Sequence, residues 1–171
     1  MENLRRPRDK WRDIIFCSVA VFVVIADQIT KALIRASVLP GEVFYDVGYF
    51  RIIHVENTGA SFSLFQGHSL VIVIVSIIGL LVILSLVFFF RSRWSFLQSN
   101  WVIVALALVT GGAIGNNLID RLRQGTVTDY LDFKVWPAFN VADMCLTVGI
   151  IILVYRAAAG GSARSGPARR S

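Results

Sequence analysis

The sequence predicts an α-helical integral membrane protein with four transmembrane helices and a small extracytoplasmic β-rich loop, all in a single membrane domain. Hydrophobic residues make up 56% of the 171 residues and charged residues only 16%, which is outside the usual range of soluble domains. Four apolar segments are long enough to cross a bilayer, at about residues 14–36, 69–90, 95–122 and 139–156. Residues 157–171 are rich in Gly, Ala, Ser and Arg, and we expect them to form a disordered basic tail.

The net charge of +6 indicates membrane topology rather than nucleic-acid binding. Eleven of the seventeen basic residues lie before the first span, at or after the end of the fourth, or between the second and third. Only three of the eleven acidic residues lie in these regions. Because loops that are rich in Lys and Arg stay inside, both termini are predicted to be cytoplasmic. We expect contact with membrane lipids, a monomer, and no nucleic-acid partner.

The first span carries two charged residues, Asp27 and Lys31, which a spacing of four places on one face of the helix. This pair either neutralises itself near the outer end of the span or lines a polar site inside the bundle. The residues alone leave both interpretations open.

The first outer loop is predicted to form a small sheet or hairpin on the membrane surface. After the helix-breaking Leu39-Pro40-Gly41, residues 43–55 are rich in Val, Ile, Tyr and Phe. The loop then reads NTGASFS from Asn57 to Ser63, which is either an ordinary turn or a polar segment facing a site. The two histidines and two cysteines lack the spacing of a metal site, so no metal or cofactor is expected.

The second and third spans are predicted to serve mainly as packing elements. Span two carries no charged residue, and Gly111, Gly112 and Gly115 in span three allow neighbouring helices to approach closely. Gly125 then ends the third helix, and Thr126 to Val135 alternates like a short extended segment.

A cluster of acids, amides and one arginine lies between Gly111 and Asp143, beside the hydrocarbon phase. An Asp or Arg at the centre of a membrane helix costs roughly 2.5 to 3.5 kcal/mol, so such a cluster indicates a function. Its members are Asp120, Arg121, Asp129, Asp132, Asn140 and Asp143. Two carboxylates held close together share a proton, so that one activates water and the other protonates a leaving amine. The connecting loop can bring Asp129 and Asp143 together at the outer membrane surface, which favours peptide hydrolysis without a covalent intermediate.

Five blocks of this sequence, in order over about residues 14–156, resemble the lipoprotein signal peptidases (signal peptidase II), a family of bacterial membrane aspartyl proteases. The blocks are DQITK at 27–31, NTGASFS at 57–63, GNNLIDR at 115–121, VTDY at 127–130 and FNVAD at 139–143. The resemblance implies that Asp129 and Asp143 are the catalytic pair. It also implies that the substrate-binding residues are Asn57, Asn117, Arg121, Asn140, Asp27 and Lys31. The implied substrate is a diacylglyceryl-modified prolipoprotein, cut just before its lipidated cysteine at the outer face of the cytoplasmic membrane.

The third block departs from the family pattern GNxxDR by one additional residue. Counting back from Asp120-Arg121 selects Asn117 as the site amide, whereas counting forward from Gly115 selects Asn116. We expect Asn117, because its separation of four residues from Arg121 places both on one helical face. The second block reads GASFS where the family usually has GAAFS, which is a mild change.

Two alternatives from other functional classes remain open. Intramembrane acids are also typical of ion or solute transporters, although four spans without repeats or broken helices argue against that class. A non-catalytic assembly factor is the third interpretation, and it predicts that both aspartates are dispensable. Turnover of a peptide by the purified protein, without an ion gradient, would separate the peptidase from both.

Overall fold

The computed structural model describes residues 7–59 and 69–162, in which four long helices carry a three-stranded sheet at one end. The helices are α1 (Pro7–Ser37), α2 (Ser69–Ser85), α3 (Asn100–Ala113) and α4 (Val141–Ser162). Two of them continue in tighter or wider turns. α2 continues into a π-helical turn, Leu86–Phe90, and then a 3-10 turn, Arg91–Arg93. A second 3-10 turn, Ser95–Gln98, precedes α3. α3 runs into a π-helical segment, Ile114–Asp120, and a last α-helical turn, Arg121–Gln124.

All four helical segments are long and apolar enough to cross a membrane, which confirms the predicted fold class. These segments are Lys10–Ser37, Ser69–Arg93, Asn100–Gln124 and Val141–Ala159. The fourth helix begins two residues later than position 139, because Phe139 still pairs with Leu131 of the sheet and Asn140 caps the helix. It extends to Ser162, past the expected limit at 156. Residues 60–63 of the NTGASFS block and residues 163–171 of the tail lie outside the described residues.

The core of the bundle lies along α3, which packs against both α1 and α4. Val102, Ile103 and Ala105 of this helix are fully buried, whereas much of the apolar surface of the other three helices faces outward, as expected of a chain surrounded by lipid. Close packing depends on the predicted glycines: a Cβ added at Gly112 would lie 2.7 Å from the carbonyl oxygen of Ala142. The structure thus confirms the prediction that small residues of span three bring helices together.

The sheet contains β1 (Val43–Asp46), β2 (Arg51–Asn57) and β3 (Val127–Asp132), in that order and antiparallel throughout. The predicted hairpin is therefore present, and the extended segment after α3 joins it as a third strand. Arg12, Asp13 and Arg91 lie at the opposite end of the bundle, where Arg91 Nη1 donates to Asp13 Oδ1 at 2.7 Å. Because β3 links α3 to α4 beside the first outer loop, the sheet brings all the predicted site segments to one end.

Candidate active site

Asp143 is fixed at the start of α4 by a reciprocal pair of hydrogen bonds with the helix cap. The Asn140 side-chain oxygen accepts from the Asp143 backbone N–H at 3.0 Å, and Asp143 Oδ2 accepts from the Asn140 backbone N–H at 3.2 Å. This is the capping-box arrangement, here made by Asn and Asp. A helix N-terminus favours a negative charge, so the local fold supports a carboxylate at this position.

Asp129 lies in the middle of β3 and reaches the same cap. Asn140 Nδ2 donates to Asp129 Oδ1 at 2.7 Å, and Asn57 Nδ2, from the neighbouring strand, donates to Asp129 Oδ2 at 2.9 Å. The Asn57 side-chain oxygen accepts from the Gly59 backbone N–H, which fixes the orientation of that amide. Asn140 therefore contacts both predicted catalytic aspartates, and the structure brings the two together.

The environment of Asp129 disfavours its charged form. Burial, and then the neighbouring charge of Asp143, raise the pKa of Asp129 to about 7, although the hydrogen bonds from Asn57 and Asn140 act in the opposite direction. A carboxyl with this pKa is about half protonated at pH 7 and mostly protonated below it. Two adjacent carboxyls that hold one proton between them are equipped for general acid–base chemistry.

The π-helical segment Ile114–Asp120 accommodates the additional residue of the GNNLIDR block and gives its two amides different contacts. Asn116 is buried, and its Nδ2 donates to Asp143 Oδ1 at 2.7 Å. Asn117 is half-buried, lines the same cavity and accepts from Arg121 Nε at 3.4 Å. The expected contact between Asn117 and Arg121 is therefore present. The amide that contacts the aspartate, however, is Asn116, because a π-helical turn rotates the side chains away from α-helical spacing.

Behind Asn116 lies a fully buried ionic cluster of Lys31, Asp27 and Asp120. Lys31 Nζ donates to Asp27 Oδ2 at 2.8 Å, to Asp120 Oδ2 at 2.6 Å and to Asn116 Oδ1 at 2.5 Å. The ammonium thus uses its three N–H groups on these partners. Asp27 Oδ1 also accepts from the backbone N–H of Ala142 at 3.1 Å, so the cluster supports the start of α4. The structure combines parts of the two interpretations of Asp27 and Lys31: the two residues form an ion pair at 2.8 Å, and this pair lies buried in the polar interior of the bundle.

Gly115→Ala is expected to disrupt this cluster. The added Cβ would lie 2.6 Å from Asp27 Oδ2, and Asp27 is fully buried. Overpacking of this kind costs about 1–3 kcal/mol of stability, and displacement of Asp27 should also lower cleavage by disturbing the start of α4. Thermal unfolding and peptide cleavage in detergent measure the two effects. Gly79→Ala in α2 is the matched control, since its Cβ would meet nothing within 4 Å; equal effects of the two substitutions would contradict the assignment.

Arg121 lies at the edge of the site and lines the cavity. Its Nη2 donates to the carbonyl oxygen of Gly59, and its Nε donates to Asn117. Its Nη1 is buried and has no hydrogen-bond partner among residues 7–59 and 69–162. An unpaired buried donor is unfavourable, so this guanidinium is placed to bind a carbonyl, ester or phosphate oxygen.

A cavity of about 780 Å³ joins these groups and has one polar and one apolar side. Its polar wall includes Asn57, Asn116, Arg121, Asp129 and Asp143, and its apolar wall includes Ile72 of α2 with Met144, Leu146 and Val148 of α4. Lys31, Asp27 and Asn140 do not line it but lie directly behind groups that do. The cavity therefore offers a pair of carboxyls beside a surface suited to hydrocarbon.

Comparison with known proteins places the chain in one family, over most of its length. The sequence model of the family described as signal peptidase (SPase) II matches residues 19–159. A lipoprotein signal peptidase of Dehalococcoides mccartyi (strain ATCC BAA-2266 / KCTC 15142 / 195) is 43% identical over 143 residues, which cover 84% of this chain and 88% of that protein. The lipoprotein signal peptidase of Moorella thermoacetica is 38% identical over 142 residues, covering 82% and 91%.

Two solved structures share the fold. A bacterial membrane enzyme determined by the in meso method at 2.3 Å resolution superposes with a TM-score of 0.78 at 28% identity, covering 91% of this chain and 94% of that one. A second, at 1.9 Å resolution, has a TM-score of 0.71 at 31% identity, covering 82% and 90%. With the matches in sequence, these results show that the chain belongs to the signal peptidase II family, the aspartic-type peptidases that cleave signal peptides from prolipoproteins.

Proposed function

We propose that this chain cuts diacylglyceryl-modified prolipoproteins just before the lipidated cysteine, at the outer face of the cytoplasmic membrane, with Asp129 and Asp143 as its catalytic pair. The observation that carries the proposal is the contact of Asn140 with both carboxyls at one wall of a cavity whose other wall is apolar. Membership of a peptidase family argues against the transporter and the non-catalytic assembly factor. All the residues in this proposal come from one chain, which is compatible with a monomer.

The two aspartates have different surroundings, and the difference assigns their roles. Each oxygen of both carboxyls accepts a hydrogen bond, but one donor to Asp143 is the Asn140 backbone N–H at the N-terminus of α4, where a negative charge is favoured. Asp129, with a pKa of about 7, carries the proton. Asp143 is therefore the base and Asp129 the acid.

The reaction needs a water between the pair and a peptide carbonyl beside them. Asp143 takes a proton from the water as its oxygen bonds to the carbonyl carbon, and the resulting oxyanion lies near Arg121 Nη1. Asp129 then donates its proton to the nitrogen as the carbon–nitrogen bond breaks. The products are a carboxylic acid and an amine, and the proton on Asp143 returns to Asp129 before the next cycle. Asn57 and Asn117 help to position the substrate backbone.

The apolar wall between α2 and α4 explains how a lipidated substrate would bind. Ile72, Met144, Leu146 and Val148 present hydrocarbon beside the carboxyls, and both helices belong to membrane-spanning segments. Acyl chains on a substrate cysteine can enter this region from the bilayer by lateral diffusion. The site also lies at the opposite end of the bundle from Arg12 and Arg91, which the positive-inside rule assigns to the cytoplasm.

The test is cleavage of a purified diacylglyceryl-modified prolipoprotein by the purified chain in detergent, with the products identified by mass spectrometry. We expect a signal peptide that ends at the residue before the lipidated cysteine and a mature protein that starts with that cysteine. The same precursor without the diacylglyceryl group is the matched substrate, and its cleavage should be strongly reduced. Cleavage at another bond, or equal cleavage of both substrates, would contradict the proposal.

The pH dependence of cleavage should reflect the protonation of Asp129. As the pH rises through about 7, Asp129 loses the proton that the reaction needs, so kcat/KM should fall. The hydrogen bond from Asn57 stabilises the carboxylate and lowers its pKa. Asn57→Ala should therefore raise the pKa of Asp129 and move the fall in kcat/KM to higher pH, with a lower maximum. A pH profile that moves the opposite way, or does not move, would contradict the assignment of the acid.

A further inference from the structure

The strand pair β2 and β3 has two faces with different chemistry. Val55 pairs with Asp129 and Asn57 pairs with Val127, and all four residues line the cavity. The alternate pair, Glu56 and Thr128, belongs to a polar cluster that extends to α1, and Glu56 also reaches the cavity lining. In this cluster, Arg35 Nη1 of α1 donates to Thr128 Oγ1 at 3.1 Å, and Thr128 Oγ1 donates to Glu56 Oε1 at 3.1 Å. Residues behind the catalytic strand thus form a connected network.

His54 is the centre of this network and is only 3% exposed. Its Nδ1 lies 2.6 Å from the carbonyl oxygen of Val38, and its Nε2 lies 2.7 Å from Glu56 Oε1. A carbonyl oxygen can only accept, so Nδ1 carries a proton. Although burial acts to raise it, the pKa of Glu56 is lowered by hydrogen bonds from Thr126, His54 and Thr128. Glu56 is therefore a carboxylate, and His54 Nε2 lies at hydrogen-bond distance from it.

His54 also lies in a β-bulge, and this bulge determines which side chains of β2 face the cavity. Ile52 pairs with Leu131 and Val55 pairs with Asp129, so Ile53 and His54 together face the single residue Tyr130. If β2 had no bulge, the pairing that starts at Arg51 and Ile52 would continue unchanged and place His54 opposite Asp129. A shift of one residue also reverses the face of every side chain, so Asn57 would point away from Asp129. The contact between Asn57 and Asp129 thus depends on the bulge.

We propose that His54 and Glu56 are positioning residues, whose contact with each other holds the β2 bulge and thereby keeps Asn57 against Asp129. His54 anchors the bulge to the end of α1 through Val38, while Glu56 anchors it to β3 through Thr126 and Thr128. Neither residue touches the catalytic pair, so both act through Asn57. This inference rests on the proposed function, because it concerns the geometry of Asp129.

A double-mutant cycle between His54 and Asn57 tests the proposal. We compare wild type, His54→Ala, Asn57→Ala and the double variant for kcat and KM on the diacylglyceryl-modified precursor in detergent. His54→Ala should lower kcat by about 10- to 100-fold, which is the loss expected from a displaced active-site group, with KM unchanged. The double variant should be no slower than Asn57→Ala alone, because the two residues act through one contact. Glu56→Gln, which removes the charge and keeps the shape, should lower kcat in the same way.

Two controls separate the possible outcomes. Arg51→Ala removes the ion pair with Asp132 at the far end of the same two strands and should leave kcat close to wild type. An unchanged kcat in both His54→Ala and Glu56→Gln would overturn the proposal. A loss of kcat in His54→Ala that adds fully to the loss in Asn57→Ala would also overturn it. If His54→Ala does not fold, Glu56→Gln replaces it in the same cycle with Asn57→Ala. Inactive wild type, or active Asp129→Asn, would instead reject the proposed function.

Discussion

Asp129→Asn and Asp143→Asn are each expected to lower kcat for prolipoprotein cleavage by about 10³-fold, within the range measured for general acid–base groups. An amide at position 129 cannot donate the proton of a carboxylic acid, and an amide at position 143 cannot take one from water. The two losses should not add in the double variant, because the pair acts as a unit. Single-turnover cleavage of the lipidated precursor measures each loss.

The thermal stability of Asp129→Asn and the cleavage rate of a matched substitution complete this test. The raised pKa of Asp129 means that its charged form is disfavoured in the folded protein, so above pH 7 a neutral Asn should not reduce the thermal stability. Asp132→Asn changes another aspartate of the same strand, one that contacts Arg51 at the other end of β3. It should cleave at close to the wild-type rate. Normal turnover by Asp143→Asn, or loss of activity only in unfolded protein, would refute the assignment.

Lys31→Met is expected to be the most destabilising single substitution among those considered. It removes the cation that neutralises Asp27 and Asp120, both of which are fully buried, and leaves Asn116 without its donor. Breaking a buried ion pair from one side costs about 3–5 kcal/mol, since the remaining charges are uncompensated. The free energy of unfolding in detergent micelles, measured by denaturant titration, gives the loss directly.

The chain supplies its own control for this experiment. Lys134 forms a comparable ion pair with Asp46 at 2.8 Å, but 35% and 41% of these two side chains are exposed. Lys134→Met should therefore change stability by no more than about 1 kcal/mol. Similar losses in the two variants would show that burial of the Lys31 cluster does not matter. Cleavage should fall in Lys31→Met and persist in Lys134→Met, because only the former cation lies behind Asp143.

The helices and the proximity of Asp129 and Asp143 could be predicted because their signals are local or carried by a resemblance. The length of an apolar segment is fixed by the thickness of the bilayer, which made four spans visible in the sequence. Asn140 and Asp143, three residues apart before an apolar run, also form a capping signature that could have indicated the start of α4 at Val141.

The contacts across the sheet could not be predicted, since they join residues far apart in the chain. Asn57 pairs with Val127, about 70 positions away, and no local pattern fixes that register. The bulge at Ile53 and His54 changes the alternation of β2, and His54 is buried against Glu56 and Val38. For Asn116, the prediction assumed α-helical spacing, and the π-helical segment made that assumption wrong. A one-residue insertion before Asp120 was the available signal of such a turn.

The central claim is that Asp129 and Asp143 share one proton, held by Asp129. Infrared spectra of the protein carrying ¹³C-labelled aspartate carboxyls, compared between wild type and Asp129→Asn at pH 6, measure this proton most directly. We expect one protonated carboxyl band in wild type. This band should disappear as the pH rises through about 7, and it should be absent from Asp129→Asn. A band that persists in Asp129→Asn and disappears in Asp143→Asn, or two ionised carboxylates at pH 6, would contradict this claim.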